Sequence, residues 1–128
     1  MKKQHQELAA HRLQLAKETL ADAQLLMEAD RLRSVVNRAY YAAFYAVRAV
    51  LATKGLDSRR HSGVLSLFDT HFVLTEEFRR DLGRKLHELF EARLMSDYRE
   101  LVELASDQVD ELLAGAKDIV RAVDLYLK

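Results

Sequence analysis

The chain has 128 residues, enough for one domain built around one core. Its 20 basic and 20 acidic residues cancel, which argues against a bulk nucleic-acid coat and leaves room only for a local basic patch. The lack of cysteine excludes disulfides, zinc–thiolate sites and cysteine nucleophiles, and the lack of proline removes the commonest steric stop for a helix.

Met1-Lys2-Lys3 could open a secretory leader, but the following QHQELAAHR contains no apolar run. The first predicted helix covers about residues 4–29, because Ala9, Leu13, Ala16, Leu20, Ala23 and Met27 repeat on one helical face. Its alanines suit close packing. ADRLR marks a break, with Asp30 as the expected cap of the next helix. The second helix is predicted from about Leu32 to Lys54, with Gly55 as its stop signal. Its AYYAAFYAV, the longest nearly apolar run, is far short of a membrane span, so a soluble, cytoplasmic protein is expected.

GLDSRRHSG follows as a basic, polar connection, and Val64, Leu65, Leu67, Phe68 and Phe72 give a short third helix its apolar face. Thr75, Glu76 and Glu77 are expected to open the fourth helix, by capping and by acidic charge at its positive end. Phe78, Leu82, Leu86, Leu89 and Phe90 carry its buried stripe, and the backbone becomes illegible near SDYRELVELA. A last helix starts at Ser106 and shows a core face of Val109, Leu112, Leu113, Ala116, Ile119, Val120, Val123 and Leu127. No repeat, low-complexity segment or linker interrupts the pattern. The fold class is therefore all-α: one domain over 1–128, an up-and-down antiparallel bundle of four long helices and one short one.

Chemistry-bearing residues concentrate in NRAYYAAFYAVRAV, residues 37–50. At about 100° per residue, Asn37, Tyr41, Phe44 and Arg48 fall on one stripe, flanked by Arg38 and Tyr45 on one side and Tyr40 on the other. Two readings stand. The tyrosines fill space and place each hydroxyl on a partner while arginine stems snorkel. Or the stripe is a polar network, in a cleft or dimer seam, that binds phosphate or RNA. Arg93 and Asp97 project onto the apolar side of the fourth helix at i and i+4, so they can pair there. An inward pair is costly unless both partners are satisfied: either it is a buried staple that orders the helix end, bonded to Tyr98 or to the second helix, or Arg93 lines an active or binding groove.

Arg59, Arg60, His61 and Ser62 sit where a helix begins, which makes this loop the best local anion site in the chain. His5 and His11 read as solvent-facing, and His71 as a helix-end residue. His87 lies seven residues after Arg80, away from the apolar stripe. Histidine as general acid or base, with arginine on the phosphate, is chemically adequate for RNA cleavage, though such a pair also arises on an ordinary solvated face. No metal-ligand spacing, glycine-rich phosphate loop or serine–histidine–acid set is present, so no cofactor or metal is expected.

NRAYYAAFYAVRAVLATKGL, then RRHSGVLSLFDTHFV, then EARLMSDY, together resemble the HEPN superfamily of small helical bundles. The resemblance rests on Asn37, Arg38, Tyr40, Tyr41, Ala42 and Phe44, on His61, Ser62 and Phe68, and on Arg93, Asp97 and Tyr98, and it spans nearly the whole chain. It implies an up-and-down bundle, commonly a homodimer. It also implies a frequent pairing with a minimal nucleotidyltransferase in toxin–antitoxin systems, where the HEPN protein is a metal-independent RNase acting at the dimer seam. Other members are accessory or nucleotide-binding subunits. The family's catalytic signature is an arginine, four to six residues and a histidine, a spacing met here by Arg80 and His87 alone. Asp81 stands where the signature has asparagine, and the pair lies outside the best-matched segments. Arg38, His61 and Arg93 are the other candidates for activity. The expectation is thus a dimeric nucleotide- or RNA-binding partner of a transferase. An active endoribonuclease and a ligand-free interaction subunit are the alternatives.

Overall fold

A computed structural model describes residues 2–98 and 103–128, with Lys2 and Tyr98 described by their backbones alone. Helices α1 (Lys2–Glu28), α2 (Leu32–Thr53), α3 (His61–Phe68), α4 (Arg80–Tyr98) and α5 (Ser106–Leu127) follow in order, and a π-turn over Asp69–Val73 extends α3. No strand occurs among the described residues.

Helix α2 is the centre of the bundle. Thirteen of its 22 residues are buried, so it is apolar on most sides and must be surrounded. It packs against α1, α3, α4 and α5. Helix α1 has only a weak apolar stripe, but Ala9, Ala16 and Ala23 are all buried, and side chains this small let two helix backbones approach closely. Helix α5 contributes Val109, Leu113, Ala116, Ile119, Val120 and Val123 to the core, as its spacing predicts. At the start of α2, Arg33 Nη1 donates to the Ser96 carbonyl and ties the far end of α4 to the central helix. No helix among the described residues is long and apolar enough to cross a membrane.

Helix ends depart from the sequence reading in two places. Asp30 does not cap α2. It adopts a left-handed conformation (φ 57°) and closes α1: its N–H bonds the Met27 carbonyl at 3.1 Å, and the Arg31 N–H reaches the Leu26 carbonyl at 2.9 Å. Aspartate tolerates this conformation because its short polar side chain can bond locally. The residue before α2 is Arg31, with no side-chain cap. Gly55 (φ 68°) closes α2 by the same pattern, as its position predicts.

Thr75 does not open α4 either. Its hydroxyl donates to Glu77 at 2.8 Å and lies 3.1 Å from the His71 carbonyl, finishing the π-turn instead. Helix α4 begins only at Arg80, because Phe78 turns back into the core beside Phe68, Phe72 and Tyr126. SDYRELVELA runs through the α4–α5 connection, where 99–102 lie outside the described residues.

Glu77 locks this end of the bundle. Its carboxylate accepts from Lys54 Nζ at 2.7 Å, from Thr75 and from the Tyr126 hydroxyl at 2.8 Å. Lys54 also donates to the His71 carbonyl at 2.8 Å and lies 4.2 Å from the centre of the Phe72 ring. The bonds from Lys54, Thr75 and Tyr126 hold the Glu77 carboxyl down at about 2. A depressed carboxyl contributes stability above its ordinary pKa, and that contribution is lost as pH falls from about 4.5 through the folded value. Glu77→Gln is therefore expected to lower the melting temperature at pH 6 by more than it does at pH 2.5. Parallel thermal melts across that range check this, and an equal loss at both pH values would reject the lock.

Candidate functional site

His61 is the first residue of α3, and the chain turns it inward. Its ring stacks on Phe44, with centroids 4.2 Å apart and planes 18° from parallel. Tyr41 meets it edge-on at 5.8 Å. The Tyr40 hydroxyl lies 2.7 Å from Nδ1, and Arg93 Nη1 lies 3.4 Å from the same nitrogen. Residues of α2, α3 and α4 thus converge on one imidazole.

This convergence fixes the proton. Tyr40 is fully buried, and burial pushes its hydroxyl well above the ordinary range, only partly opposed by the Arg93 charge. It stays a phenol and donates its hydrogen. Arg93 can only donate. Two donors on Nδ1 require a lone pair there, so His61 is neutral and carries its hydrogen on Nε2. Burial first, then the charges of Arg93 and Arg48, hold the His61 pKa below its usual value, in agreement with this assignment.

Positive charge surrounds the imidazole. The Arg93 guanidinium lies 5.4 Å from the centre of the Tyr40 ring and 5.3 Å from that of Tyr41, while its Nε pairs with Asp97 at 3.0 Å. The Arg93 side chain is 18% exposed and that of Asp97 34%, so the pair sits at the edge of the core, where its desolvation cost is moderate. Arg48 lies 5.9 Å from the Phe44 ring centre and pairs with Asp57 at 3.1 Å. Arg12 of α1 reaches the same carboxylate at 3.4 Å and the Arg48 carbonyl at 3.1 Å. One aspartate thereby serves two guanidinium groups. Burial alone would raise the Asp57 carboxyl; the Ser58 N–H and the Arg48 and Arg12 guanidinium groups outweigh it and hold the pKa low. Arg48 Nε is enclosed without an acceptor, so this cation is incompletely satisfied.

Phe44, Arg48, Asp57, Ser58, Arg59 and His61 wall an open groove of about 510 Å³. Two arginines, one neutral imidazole donor and one carboxylate make a surface suited to an anion with several acceptor oxygens. Gly63 leaves room for the groove wall Ser58: a Cβ there would stand 2.1 Å from Ser58 Oγ and 2.9 Å from Ser58 Cβ.

The sequence candidates divide accordingly. His61, Arg48 and Arg59 line the groove; Arg93 reaches it only through His61, and Asp97 orients Arg93. Asn37 accepts from Arg38 Nε at 3.0 Å, and the Arg38 guanidinium lies 5.3 Å from the Tyr41 ring centre. Tyr41 and Tyr45 are half-buried neighbours, 5.8 Å between centroids, on the same edge of α2. Arg60 and Ser62 are exposed and are not among the groove walls. Tyr98 ends α4, and its side chain lies outside the described residues. His87 Nε2 sits 2.6 Å from Asp69 Oδ2, whereas Arg80 is exposed at the start of α4, and no contact joins it to His87. Sequence reasoning missed Tyr40 as the keystone and Arg12 and Asp57 entirely. Tyr40 stood out only as part of a paired-tyrosine motif; Arg12 and Asp57 lie 45 residues apart, with no local pattern to announce them.

The HEPN domain family model matches residues 9–126. A UPF0332 protein of Thermotoga maritima is 43% identical over 113 residues, covering 88% of this chain and 86% of the relative. A Methanocaldococcus jannaschii protein named "Putative toxin MJ0142" is 31% identical over 115 residues, covering 90% and 78% of the two chains. A second from that organism, "Putative toxin MJ0605", is 35% identical over 86 residues, covering 67% and 64%.

Proposed function

This chain belongs to the HEPN family, and on that premise we propose that it is the nucleotide- or RNA-binding component of a toxin–antitoxin-type pair. It works in the cytoplasm as a homodimer, with a minimal nucleotidyltransferase as its partner. The observation that carries the binding role is the His61 centre: a neutral imidazole locked by Tyr40 and flanked by Arg93, Arg48 and Arg59 on an open groove. Its Nε2–H and the guanidinium forks are donors, which is what a phosphate requires. The half-buried rings of Tyr41 and Tyr45 offer a stacking surface beside it. They also form the α2 edge on which two copies would meet. The toxin assignment draws on the names of the two Methanocaldococcus relatives.

His61 is poorly set up as a general base, because Nε2 already holds a proton and Nδ1 is occupied by Tyr40 and Arg93. Binding without strong catalysis fits this geometry. The alternative, a metal-independent endoribonuclease, is favoured by one contact, the Asp69 carboxylate on His87, since a carboxylate-oriented imidazole is a competent base. Incubating the chain with total RNA beside its His87→Ala and His61→Ala variants separates the two. Cleavage lost only in His87→Ala would establish the alternative.

Binding is tested by fluorescence anisotropy with a labelled eight-nucleotide single-stranded RNA and with labelled ATP. Arg48→Ala is expected to raise the Kd for RNA on the order of tenfold, and to reduce the slope of log K against log salt by about 0.7, the value for one lost phosphate contact on a single strand. Wild-type affinity in Arg48→Ala and in Arg59→Ala would overturn the assignment.

A further inference from the structure

A second surface lies away from the His61 centre. Helices α4 and α5 are joined by a short connection and pack together, and between them runs a groove of about 980 Å³. Its walls are apolar: Leu89, Ala92 and Met95 from α4, Leu104 from the connection, and Val109 and Leu112 from α5. Met95 is 44% exposed, a level at which a large apolar side chain marks an unpartnered surface when it stands in a concave apolar setting. The α4 wall runs from Arg84 to Met95, which at 1.5 Å per residue is about 16 Å, or three helical turns.

The rim carries a definite sign. Five carboxylates stand around the groove, on Glu88, Glu91, Glu103, Glu111 and Asp118, against the cations Arg84 and Lys85. Both cations are already engaged: Arg84 with Glu88 at 3.4 Å, and Lys85 with Asp118 at 2.8 Å and Asp81 at 3.3 Å. Glu91, Glu103 and Glu111 have no cationic partner among the described residues. A second copy of this groove laid face to face would oppose carboxylate with carboxylate, so the surface selects against self-pairing.

We propose that the α4–α5 groove is a docking site for a partner protein's amphipathic helix of about three turns, with leucine-like residues on one face and lysine or arginine on both flanks. Apolar anchors at i, i+3, i+4 and i+7 would fill the trough, and the flanking cations would meet Glu91, Glu103 and Glu111, the helix-in-groove mode of recognition. This proposal does not depend on the role of His61.

The probe is a fluorescein-labelled 14-residue designed helix with leucine on one face and lysine on the flanks. A counterpart with glutamate at the lysine positions serves as its opposite, and both are titrated with the full chain. The lysine peptide is expected to bind at least tenfold more tightly than the glutamate peptide. The triple variant Glu91→Lys, Glu103→Lys and Glu111→Lys is expected to invert that preference. A control reversal of Glu7, Glu18 and Asp22 to lysine on α1 is expected to leave it unchanged. Circular dichroism verifies that each variant is folded, and methyl NMR shifts at Met95 and Leu112 locate the wild-type contact independently of any variant. Equal affinity for the two peptides, or an α1 reversal as damaging as the groove reversal, would overturn the proposal. Loss of self-association in Met95→Asp would also overturn it, by making a second copy the occupant.

Discussion

Arg93→Ala is expected to weaken RNA or nucleotide binding by between about tenfold and a hundredfold, while leaving the bundle folded. Arg93 is not a groove wall and acts through His61, to whose Nδ1 it donates; losing a hydrogen bond from a charged group costs roughly 1.5–3 kcal/mol, and each 1.4 kcal/mol is about tenfold in Kd. Its other contacts, to Asp97 and to two tyrosine rings, lie at the edge of the core and contribute modestly to stability. Arg93→Lys keeps the charge but loses the planar fork, so it restores only part of the affinity. The same variant reports on His61. Burial is the first cause of the low imidazole pKa, and the Arg93 charge is the second. Removing the charge moves the titration upward toward the ordinary value without reaching it. Between the lowered folded pKa and about 6.5 the unfolded chain binds more protons, so wild-type stability falls as pH drops through that window. That dependence is shallower in Arg93→Ala. Anisotropy and a histidine NMR titration measure both effects, and an unchanged Kd would remove Arg93 from the site.

Phe68→Ala is expected to cost about 3–5 kcal/mol, the range for deleting a buried phenylalanine. Small domains have only about 5–15 kcal/mol in total. Phe68 is fully buried, 6.0 Å from the Phe72 ring and 5.4 Å from that of Phe78. These three rings hold the α3–π-turn segment onto the bundle, and α3 begins with His61. The substitution would therefore lower the melting temperature by roughly 10–20 °C and loosen the site with it. Urea unfolding with an unchanged slope would locate the loss in the folded state. A loss below 1 kcal/mol would mean that the aromatic cluster is not what anchors α3.

The helices were legible where the apolar period was strong. Helix α5 and the Leu82, Leu86 and Leu89 stripe of α4 follow their spacing, because one face of each is covered and the other is wet; Phe78 is buried but precedes α4. Helix α1 was legible through a stripe in which alanines alternate with Leu13, Leu20 and Met27; the alanines are buried and the larger residues pack at the core's edge. The misreadings are both at helix ends. Asp30 and Thr75 are good N-caps by residue type, but each instead terminates the helix before it, since a short polar side chain serves either end. The π-turn had no local signal; it follows from burying Phe72 and Phe78 together.

The site was half legible for a similar reason. Helical projection brings Asn37, Tyr41, Phe44 and Arg48 onto one stripe, and i,i+4 spacing pairs Arg93 with Asp97. Contacts between elements carry no such period. The hydrogen bond from Tyr40 to His61 spans 21 residues, and Arg93 meets His61 across 32. Arg80 and His87 show the converse: a spacing that matches a motif on paper, while the fold gives His87 to Asp69 instead.

A two-bond 1H–15N NMR spectrum of His61, recorded on the free chain and with added single-stranded RNA, tests the state and role of this imidazole. The geometry predicts a neutral ring protonated at Nε2 in the free chain, and a shift on binding that is concentrated at Nε2 while Nδ1 stays bonded to Tyr40. A ring protonated at Nδ1, or RNA binding that leaves both His61 nitrogens unmoved, would contradict it.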